Sequence, residues 1–178
     1  MTILNVLHFP DNRLRQKALK VSVFDKKLVK LANDMLETMY NSKGIGLAAI
    51  QVNVTMRIIV IDVSQDRNEP IFLVNPEIKT KKEPIKFEEG CLSVPAFYEQ
   101  VDRYNKINYT AQNLKGEIYE TEAEGLLAVC IQHEIDHLDG KLFVDYISNI
   151  KRDRIAKKIQ KLAQQGKLPS RGDVPYSI

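Results

Sequence analysis

Two of the three histidines in the chain lie four residues apart, in a His-Glu-x-x-His pattern formed by His133, Glu134 and His137. On a helix this spacing places both imidazoles on one face, one turn apart, where they can bind a single divalent ion. Glu134 projects at a different angle and can reach a water bound to that ion. The pattern therefore predicts a helix that carries both a metal site and a base.

The residues around this pattern predict that its helix is buried. An apolar run from Gly125 to Ile131 leads into the pattern, and Asp139 and Gly140 form a helix stop signal after it. The alternative is a surface helix with two partly solvated histidines. The apolar run favours a core helix over 125–138 on which the polar residues are carried.

Two further helices and several strands are predicted outside the metal helix. Asp25 is an expected N-cap for a helix that stops near 42–44, and a last helix is expected over 148–163. Runs rich in β-branched and alternating residues predict strands over 57–63, 71–74, 76–81, 85–88, 98–102, 105–112 and 117–123.

These elements predict an α+β fold in which antiparallel or mixed strands pack around the central metal-binding helix, with an N-terminal and a C-terminal helix. With 178 residues, 44% of them hydrophobic and 28% charged, the chain is expected to form one catalytic domain over 1–165. Residues 166–178 are expected to be a flexible C-terminal tail.

Composition also limits the setting in which the chain acts. No apolar run is long enough to span a membrane, and the first ten residues lack the features of a signal peptide. A net charge of +3 does not by itself require a nucleic-acid partner. Two cysteines make no disulfide framework, so a reducing cytoplasm is the expected location.

A catalytic metal site needs a third protein ligand and one open position. The candidates are Cys91, Cys130, His8 and a carboxylate. Cys130 precedes His133 by three residues on the same helix, where a third ligand would crowd one side of the ion, so it is expected to be an apolar wall residue. Cys91 could approach from the opposite side, on a shaped loop between Gly90 and Pro95, although taken alone it could equally be a buried core thiol.

The segment from Gly44 to Gln51 combines two glycines with a polar residue after an apolar run. Gly44 and Gly46 permit close approach of a ligand to the backbone. Taken alone, the segment is better explained as a helix C-cap followed by a turn. Gln51 could donate a hydrogen bond from its side-chain amide to a developing oxyanion.

Together, the segments 44–51, 89–93 and 132–140 resemble the peptide deformylase family. They match the family motifs Gly-x-Gly-Leu-Ala-Ala-x-Gln, Glu-Gly-Cys-Leu-Ser and Gln-His-Glu-x-Asp-His-Leu-x-Gly in full and in order, and the similarity extends to 7–14 and 141–145. The resemblance implies removal of the formyl group from the N-terminal formylmethionine of new polypeptides, with release of formate. It implies that the ligands are Cys91, His133 and His137, usually of Fe²⁺, with Zn²⁺, Ni²⁺ or Co²⁺ as substitutes.

The resemblance also implies roles for other residues. Glu134 would move the proton, while the Gln51 amide, the Leu92 backbone N–H and the metal would hold the oxyanion. The residues implied to line the cleft for an extended peptide and its methionine are Gly44, Ile45, Gly46, Gly90, Leu126, Val129, Cys130 and His133. For Leu126 and Val129, simple core packing is an equally good explanation.

Three polar residues are expected to fix the ligands by hydrogen bonds to a histidine or to the helix that carries it. Glu89 could hydrogen-bond a ligating histidine and fix its tautomer, and Asp136 could pair with Arg103 to anchor the helix. One departure from the family lies at Phe97 and Tyr98, where many relatives carry a polar stretch with an arginine. A tyrosine could contact peptide backbone but could not pair with a carboxylate.

Basic residues dominate the end of the chain. Eight of them lie within 148–171, against the single acid Asp153: Lys151, Arg152, Arg154, Lys157, Lys158, Lys161, Lys167 and Arg171. This is either a solvated helix face or a contact with ribosomal RNA. Two rival functions share the metal helix: a zinc peptidase with a downstream Glu or His as third ligand, and a basic RNA-binding module with a closed structural metal.

Overall fold

The structure, a computed structural model, describes residues 2–168 and contains three α-helices and five β-strands. The helices are α1 (Lys26–Asn41), α2 (Gly125–Leu138) and α3 (Asn149–Gln164). The strands are β1 (Gly46–Ala48), β2 (Ile58–Ile61), β3 (Ile71–Cys91), β4 (Val94–Gln112) and β5 (Ile118–Glu124). Short 3-10 turns cover Asn12–Arg15, Ala49–Val52 and Phe143–Tyr146.

The five strands form one sheet in the order of the sequence, β1-β2-β3-β4-β5, and each neighbouring pair is antiparallel. Short connections between consecutive antiparallel strands explain this simple order. The α+β prediction is confirmed. Of the two expected arrangements, antiparallel or mixed, the named strands form the antiparallel one.

Strand β2 explains why helices cover both faces of the sheet. All four of its side chains are fully buried, as expected for an uninterrupted apolar run. Ile59 and Ile61 pack in the core that contains α2, whereas Ile58 and Val60 pack in the core that contains α1. Each such side chain contributes about 1.5–3 kcal/mol by leaving water. Helix α2 is therefore held against the centre of the sheet.

Five predicted strands form two continuous strands in the structure: 71–74, 76–81 and 85–88 lie in β3, and 98–102 and 105–112 lie in β4. The expected breaks near Lys82–Pro84 and at Arg103–Tyr104 do not exist, because β3 and β4 form one long hairpin. β2 pairs only with the first four residues of β3. Pro84 therefore lies in a part of β3 that has no β2 residue beside it, so on that edge its missing N–H breaks no hydrogen bond to a neighbouring strand.

The expectation of a turn at Gly46 is wrong. α1 ends as predicted, with Ser42 as its C-cap and Lys43 at φ 55°, but Gly46–Ala48 is a strand paired with β2. Three residues are too short for a clear alternating pattern. The strand is specified by the register with Ile59–Ile61 rather than by its own sequence.

The caps of α1 and α3 match the sequence signals. Asp25 accepts hydrogen bonds from the backbone N–H groups of Lys27 and Leu28 at 2.9 and 3.0 Å. Ser148 caps α3, whose Ile155 and Ile159 are buried in a third core. Of the expected tail, Gly166–Leu168 is described, whereas 169–178, including the basic Arg171, lies outside the described residues. Within 2–168, no helix combines the length and apolarity that a membrane span requires.

Candidate metal centre

Three donor atoms from two distant segments converge at the predicted site. Cys91 Sγ lies 3.2 Å from His137 Nε2, and His137 Nε2 lies 3.2 Å from His133 Nε2. All three side chains are buried, and the three donor atoms lie within 4.8 Å of one another. Across 2–168 they form the one group of three Cys, His or carboxylate side chains close enough to share an ion.

The spacing and chemistry of these donors fit a divalent transition metal. Ligand bonds of about 2.0–2.3 Å in a tetrahedron hold donor atoms about 3.4 Å apart, close to the separations observed. Burial lowers the pKa of His137 well below its ordinary value, which favours the neutral imidazole that a metal requires. Two nitrogens and one sulfur are a ligand set suited to zinc, iron, nickel or cobalt and poorly suited to magnesium or calcium.

Helix α2 is fixed against the sheet by a polar side chain that the sequence reasoning did not identify. Gln132 accepts a hydrogen bond from the Tyr104 backbone N–H at 3.1 Å and donates one to the Tyr104 carbonyl at 2.7 Å. It also donates to the Ala128 carbonyl of its own helix. This amide ties the turn that carries His133 to the middle of β4, so both histidines have a defined position.

Cys91 is the last residue of β3 and pairs with Val94 across a two-residue turn. The shaped loop predicted around it is therefore a strand end with irregular pairing. Glu89 pairs with Glu99 but Cys91 with Val94, so β4 bulges around Ala96, which has φ 65°. The bulge bends the hairpin end and directs the thiol towards α2.

The buried carboxylate of Glu89 hydrogen-bonds His133 on the side of the ring that faces away from the other donor atoms. His133 Nδ1 lies 2.9 Å from Glu89 Oε2, which leaves Nε2 free to face the other donors. Burial alone would raise the pKa of Glu89, but hydrogen bonds from His133 and Arg103 lower it to about 2. Glu89 is thus ionised and accepts the Nδ1–H, the arrangement typical of ligating histidines.

Arg103 connects this carboxylate to the helix. It donates two hydrogen bonds to Glu89, at 2.5 and 3.0 Å, and one to Asp136 Oδ2 at 2.7 Å. Its side chain is 5% exposed, so these ion pairs lie in a region of low dielectric where geometry matters most. Tyr146, which the sequence reasoning missed, donates a hydrogen bond of 2.9 Å to the same Asp136 oxygen.

Gln51 lies beside Cys91. Its Oε1 accepts from the Ala48 backbone N–H at 2.8 Å, which fixes the amide so that Nε2 faces Cys91 Sγ at 3.6 Å and Ser93 Oγ at 3.2 Å. Ser93 also donates its backbone N–H to Cys91 Sγ at 3.4 Å. Two donors therefore face the sulfur. No role in the site was predicted for Ser93 from the sequence, because a single serine in an apolar run gives little signal.

Glu134 is packed tightly against β1. A Cβ on Gly46 would lie 2.4 Å from Glu134 Oε1 and 2.7 Å from Cys130 Sγ, so only glycine leaves room for both. Burial raises the pKa of Glu134 to about 7; a charge on His133 opposes this rise and the charge of Glu89 adds to it. Glu134 Oε2 is buried and has no hydrogen-bond partner among residues 2–168. The carboxylate is therefore buried on the helix that carries both histidines, and its pKa near neutrality allows it to exchange a proton.

The residues expected to contact substrate lie around this centre. Cys130 is buried with its Sγ 3.8 Å from the Ile45 carbonyl, and burial raises the pKa of its thiol. A Cβ on Gly44 would meet the Leu92 side chain at 2.7 Å. Ile45 and Val129 are buried in the same core, and Leu126 packs against it. Their packing alone does not separate a pocket wall from ordinary core.

Tyr98 lies farther out, where the hairpin bulges. It is half-buried and lines a cleft of about 510 Å³ together with Glu88, Tyr146 and Lys151. Its neighbour Phe97 lies under Lys158 Nζ, 5.3 Å from the ring centroid. The departure from the family at these two positions therefore contacts α3.

A buried His-Glu-x-x-His helix whose two histidines meet a cysteine from a distant strand is the arrangement of a metallohydrolase. Known proteins agree: residues 3–153 match the model of the family described as polypeptide deformylase. The chain belongs to the polypeptide deformylase family, which removes N-terminal formyl groups from newly made polypeptides.

Individual relatives share nearly the whole chain. Peptide deformylase 1 of Pseudomonas syringae pv. tomato is 57% identical over 162 residues, covering 90% of this chain and 96% of its own. The crystal structure of a deformylase from Legionella pneumophila superposes with a TM-score of 0.88 at 47% identity, over 94% of this chain and 100% of its own. The Ehrlichia chaffeensis deformylase in complex with actinonin gives 0.86 at 38% identity, over 90% and 98%. The family prediction is confirmed, and it favours the deformylase over the peptidase and RNA-binding alternatives.

Proposed function

We propose that this chain deformylates N-terminal formylmethionine with Cys91, His133 and His137 as metal ligands and Glu134 as the proton-transferring group. The observation that supports this most directly is the convergence of the three donor atoms, two of them on the helix that also carries the buried carboxylate of Glu134. A divalent ion held there would acidify a water and polarise a carbonyl oxygen.

The protein groups then perform three tasks. Glu134 takes the proton of the attacking water at its free Oε2 and returns it to the nitrogen of the leaving amine. Gln51 donates from Nε2 to the oxyanion that forms on the formyl carbon, and the Leu92 backbone N–H donates to the same oxygen. The Ala48 contact holds the Gln51 amide in place, and the oxyanion would take over one of the Nε2 contacts now made to Cys91 and Ser93.

The substrate chain is proposed to pair with the edge of the sheet. β1 pairs with β2 on one side only, so its other edge offers backbone groups to an extended peptide. Gly44, Gly46 and Gly90 allow this approach, and Ile45, Leu126, Val129 and Cys130 would enclose the methionine side chain. Backbone pairing reads no side chain, so downstream residues of the substrate are expected to vary widely.

The ion proposed for the living cell is Fe²⁺, with Zn²⁺, Ni²⁺ and Co²⁺ as substitutes. A thiolate with two imidazoles accepts all four, so the donor set alone does not select one. The test is metal analysis of protein purified under argon from its native host. Finding iron at one equivalent supports the proposal, whereas finding zinc in fully active protein would contradict it.

The activity is tested by formate release from formyl-Met-Ala-Ser with Fe²⁺-loaded protein kept free of oxygen. Cys91→Ser is expected to lose bound metal and activity together, whereas Glu134→Ala should keep the metal and lose at least about 100-fold in kcat. Glu122→Ala, a surface acid on β5, is the matched control and should behave as wild type. Cleavage of the Met-Ala bond, or full activity in Glu134→Ala, would refute the assignment.

The second proposed partner is the ribosome, and the proposed location is the cytoplasm, where new polypeptides are made. Ile155 and Ile159 bury one face of α3, so its basic residues are left on the outer surface. Phosphate contacts by such a face weaken steeply with salt. Co-sedimentation with ribosomes should fall in a variant with Arg154, Lys157 and Lys161 all changed to Glu. Unchanged binding in that variant would refute the contact.

A further inference from the structure

Tyr146 connects the protein surface to the inner partners of the metal ligands. It ends the 3-10 turn Phe143–Tyr146 and is 47% exposed. Its hydroxyl donates to Asp136 Oδ2 at 2.9 Å, and the guanidinium carbon of Arg103 lies 5.1 Å from its ring centroid. One side chain therefore contacts both members of the Arg103–Asp136 ion pair.

From Tyr146 an unbroken chain of contacts leads inward. Asp136 binds Arg103, Arg103 binds Glu89 through two hydrogen bonds, and Glu89 binds Nδ1 of His133. Burial increases along the chain, from a side-chain exposure of 16% at Asp136 to 5% at Arg103 and 0% at Glu89. Water therefore competes least for the hydrogen bonds of the buried inner pairs and most for the outermost one, between Tyr146 and Asp136.

Arg103 is shared between two carboxylates, of which only Glu89 contacts His133. Nε and Nη2 serve Glu89, and Nη1 serves Asp136. Any rotation of the guanidinium towards Asp136 would weaken its two bonds to Glu89 and free that carboxylate to move the imidazole. The Tyr146 hydroxyl supplies Asp136 with a second donor, and the Tyr146 ring covers the cation, so both contacts oppose this rotation.

We propose that Tyr146 is a positioning residue for the metal ligand His133, acting through Asp136, Arg103 and Glu89. It is not among the residues proposed to hold the ion or to enclose the methionine side chain. Its loss is therefore expected to weaken metal retention and lower kcat, with KM for the formylated peptide unchanged. The inference rests on the proposed metal centre, and metal retention can be measured without any turnover.

The experiment follows loss of Co²⁺ from the full chain to excess EDTA, together with the visible absorption spectrum of the bound Co²⁺. Loss of an outer partner of a ligand costs about 10–100-fold in metal affinity, and Tyr146 lies farther out, so Tyr146→Phe is expected to release the ion about 3–10-fold faster. Tyr146→Leu, which also removes the ring, should release it faster still and shift the spectrum. Tyr119→Phe and Tyr119→Leu are matched controls, since Tyr119 packs against the α2 core and lies outside the chain of contacts.

The outcomes separate positioning from plain stability. Urea unfolding of all four variants gives the stability lost by each. The proposal would be overturned if Tyr146→Phe released Co²⁺ at the wild-type rate. It would also be overturned if the release rate rose with the loss of stability in the same way in the Tyr146 and the Tyr119 variants. Wild-type protein that binds no Co²⁺ would overturn the metal centre and this inference with it, whereas Co²⁺ binding without deformylation would contradict the proposed function alone.

Discussion

Replacing Gly46 by alanine tests how closely β1 and α2 approach at the candidate base. The new Cβ would lie 2.4 Å from Glu134 Oε1, so reaching an ordinary contact of 3.4 Å requires movement of about 1 Å. Glu134 and Cys130 both belong to the buried helix α2, so neither can swing into solvent. Overpacking of this kind costs about 1–3 kcal/mol. A displacement of about 1 Å at a catalytic group lowers kcat by about 100-fold.

The assay is formate release at saturating formyl-Met-Ala-Ser, combined with urea unfolding of the metal-loaded protein. Gly125→Ala is the matched control. It has φ 62°, which costs an alanine about 1–2 kcal/mol, but none of the described atoms lies within 4 Å of its Cβ. Both variants should lose similar stability, while Gly46→Ala alone loses kcat. Wild-type kcat in Gly46→Ala would refute the close packing of Glu134 against β1.

Three further predictions concern the frame around the site. Asp62→Asn should lower the unfolding free energy by about 1–3 kcal/mol at neutral pH, because the buried Asp62 accepts hydrogen bonds from Tyr40 and Ser64. Burial acts to raise the pKa of Asp62, but these bonds lower it below its usual 3.8. The difference in unfolding free energy between wild type and variant should therefore be constant above about pH 5. It should shrink as the pH falls below 3.8 through the pKa of Asp62 in the folded state. A difference that grows on acidification would contradict this reasoning. Gly140→Ala, at φ 75° with its Cβ 2.5 Å from the Arg15 carbonyl oxygen, should cost about 2–5 kcal/mol in urea unfolding, and a loss below 1 kcal/mol would refute that contact. Ile159→Ala should cost about 2–4 kcal/mol if α3 is docked as described, and a negligible loss would show that α3 does not contribute to the core.

The sequence was most informative where a local pattern was long. The bounds of α2 and the caps of α1 and α3 follow from apolar periodicity and capping residues, which act over neighbouring positions. Strand limits were less predictable, because pairing with a distant strand decides them. A gap was expected between 81 and 85, yet β3 continues through it because Lys82 and Pro84 pair with Lys106 and Tyr104 of β4.

The candidate site could be predicted at its inner positions and less well at its margins. The family resemblance implied Cys91, His133 and His137 as the ligands, and the structure brings these three side chains together. Gln132 and Tyr146 were missed, since both act through tertiary contacts to residues that no spacing rule connects. A glutamine among apolar residues on a buried helix was the available signal, because such an amide must find partners.

Cys91 and His137 stand 46 positions apart in the chain, and this separation has a kinetic consequence. The two meet only after the long hairpin has closed and α2 has docked on it, which are late, non-local events. A partly folded chain can offer at most the two histidines of one helix. The bound ion should therefore stabilise the native state more than the folding transition state, so adding it is expected to slow unfolding while leaving the folding rate nearly unchanged.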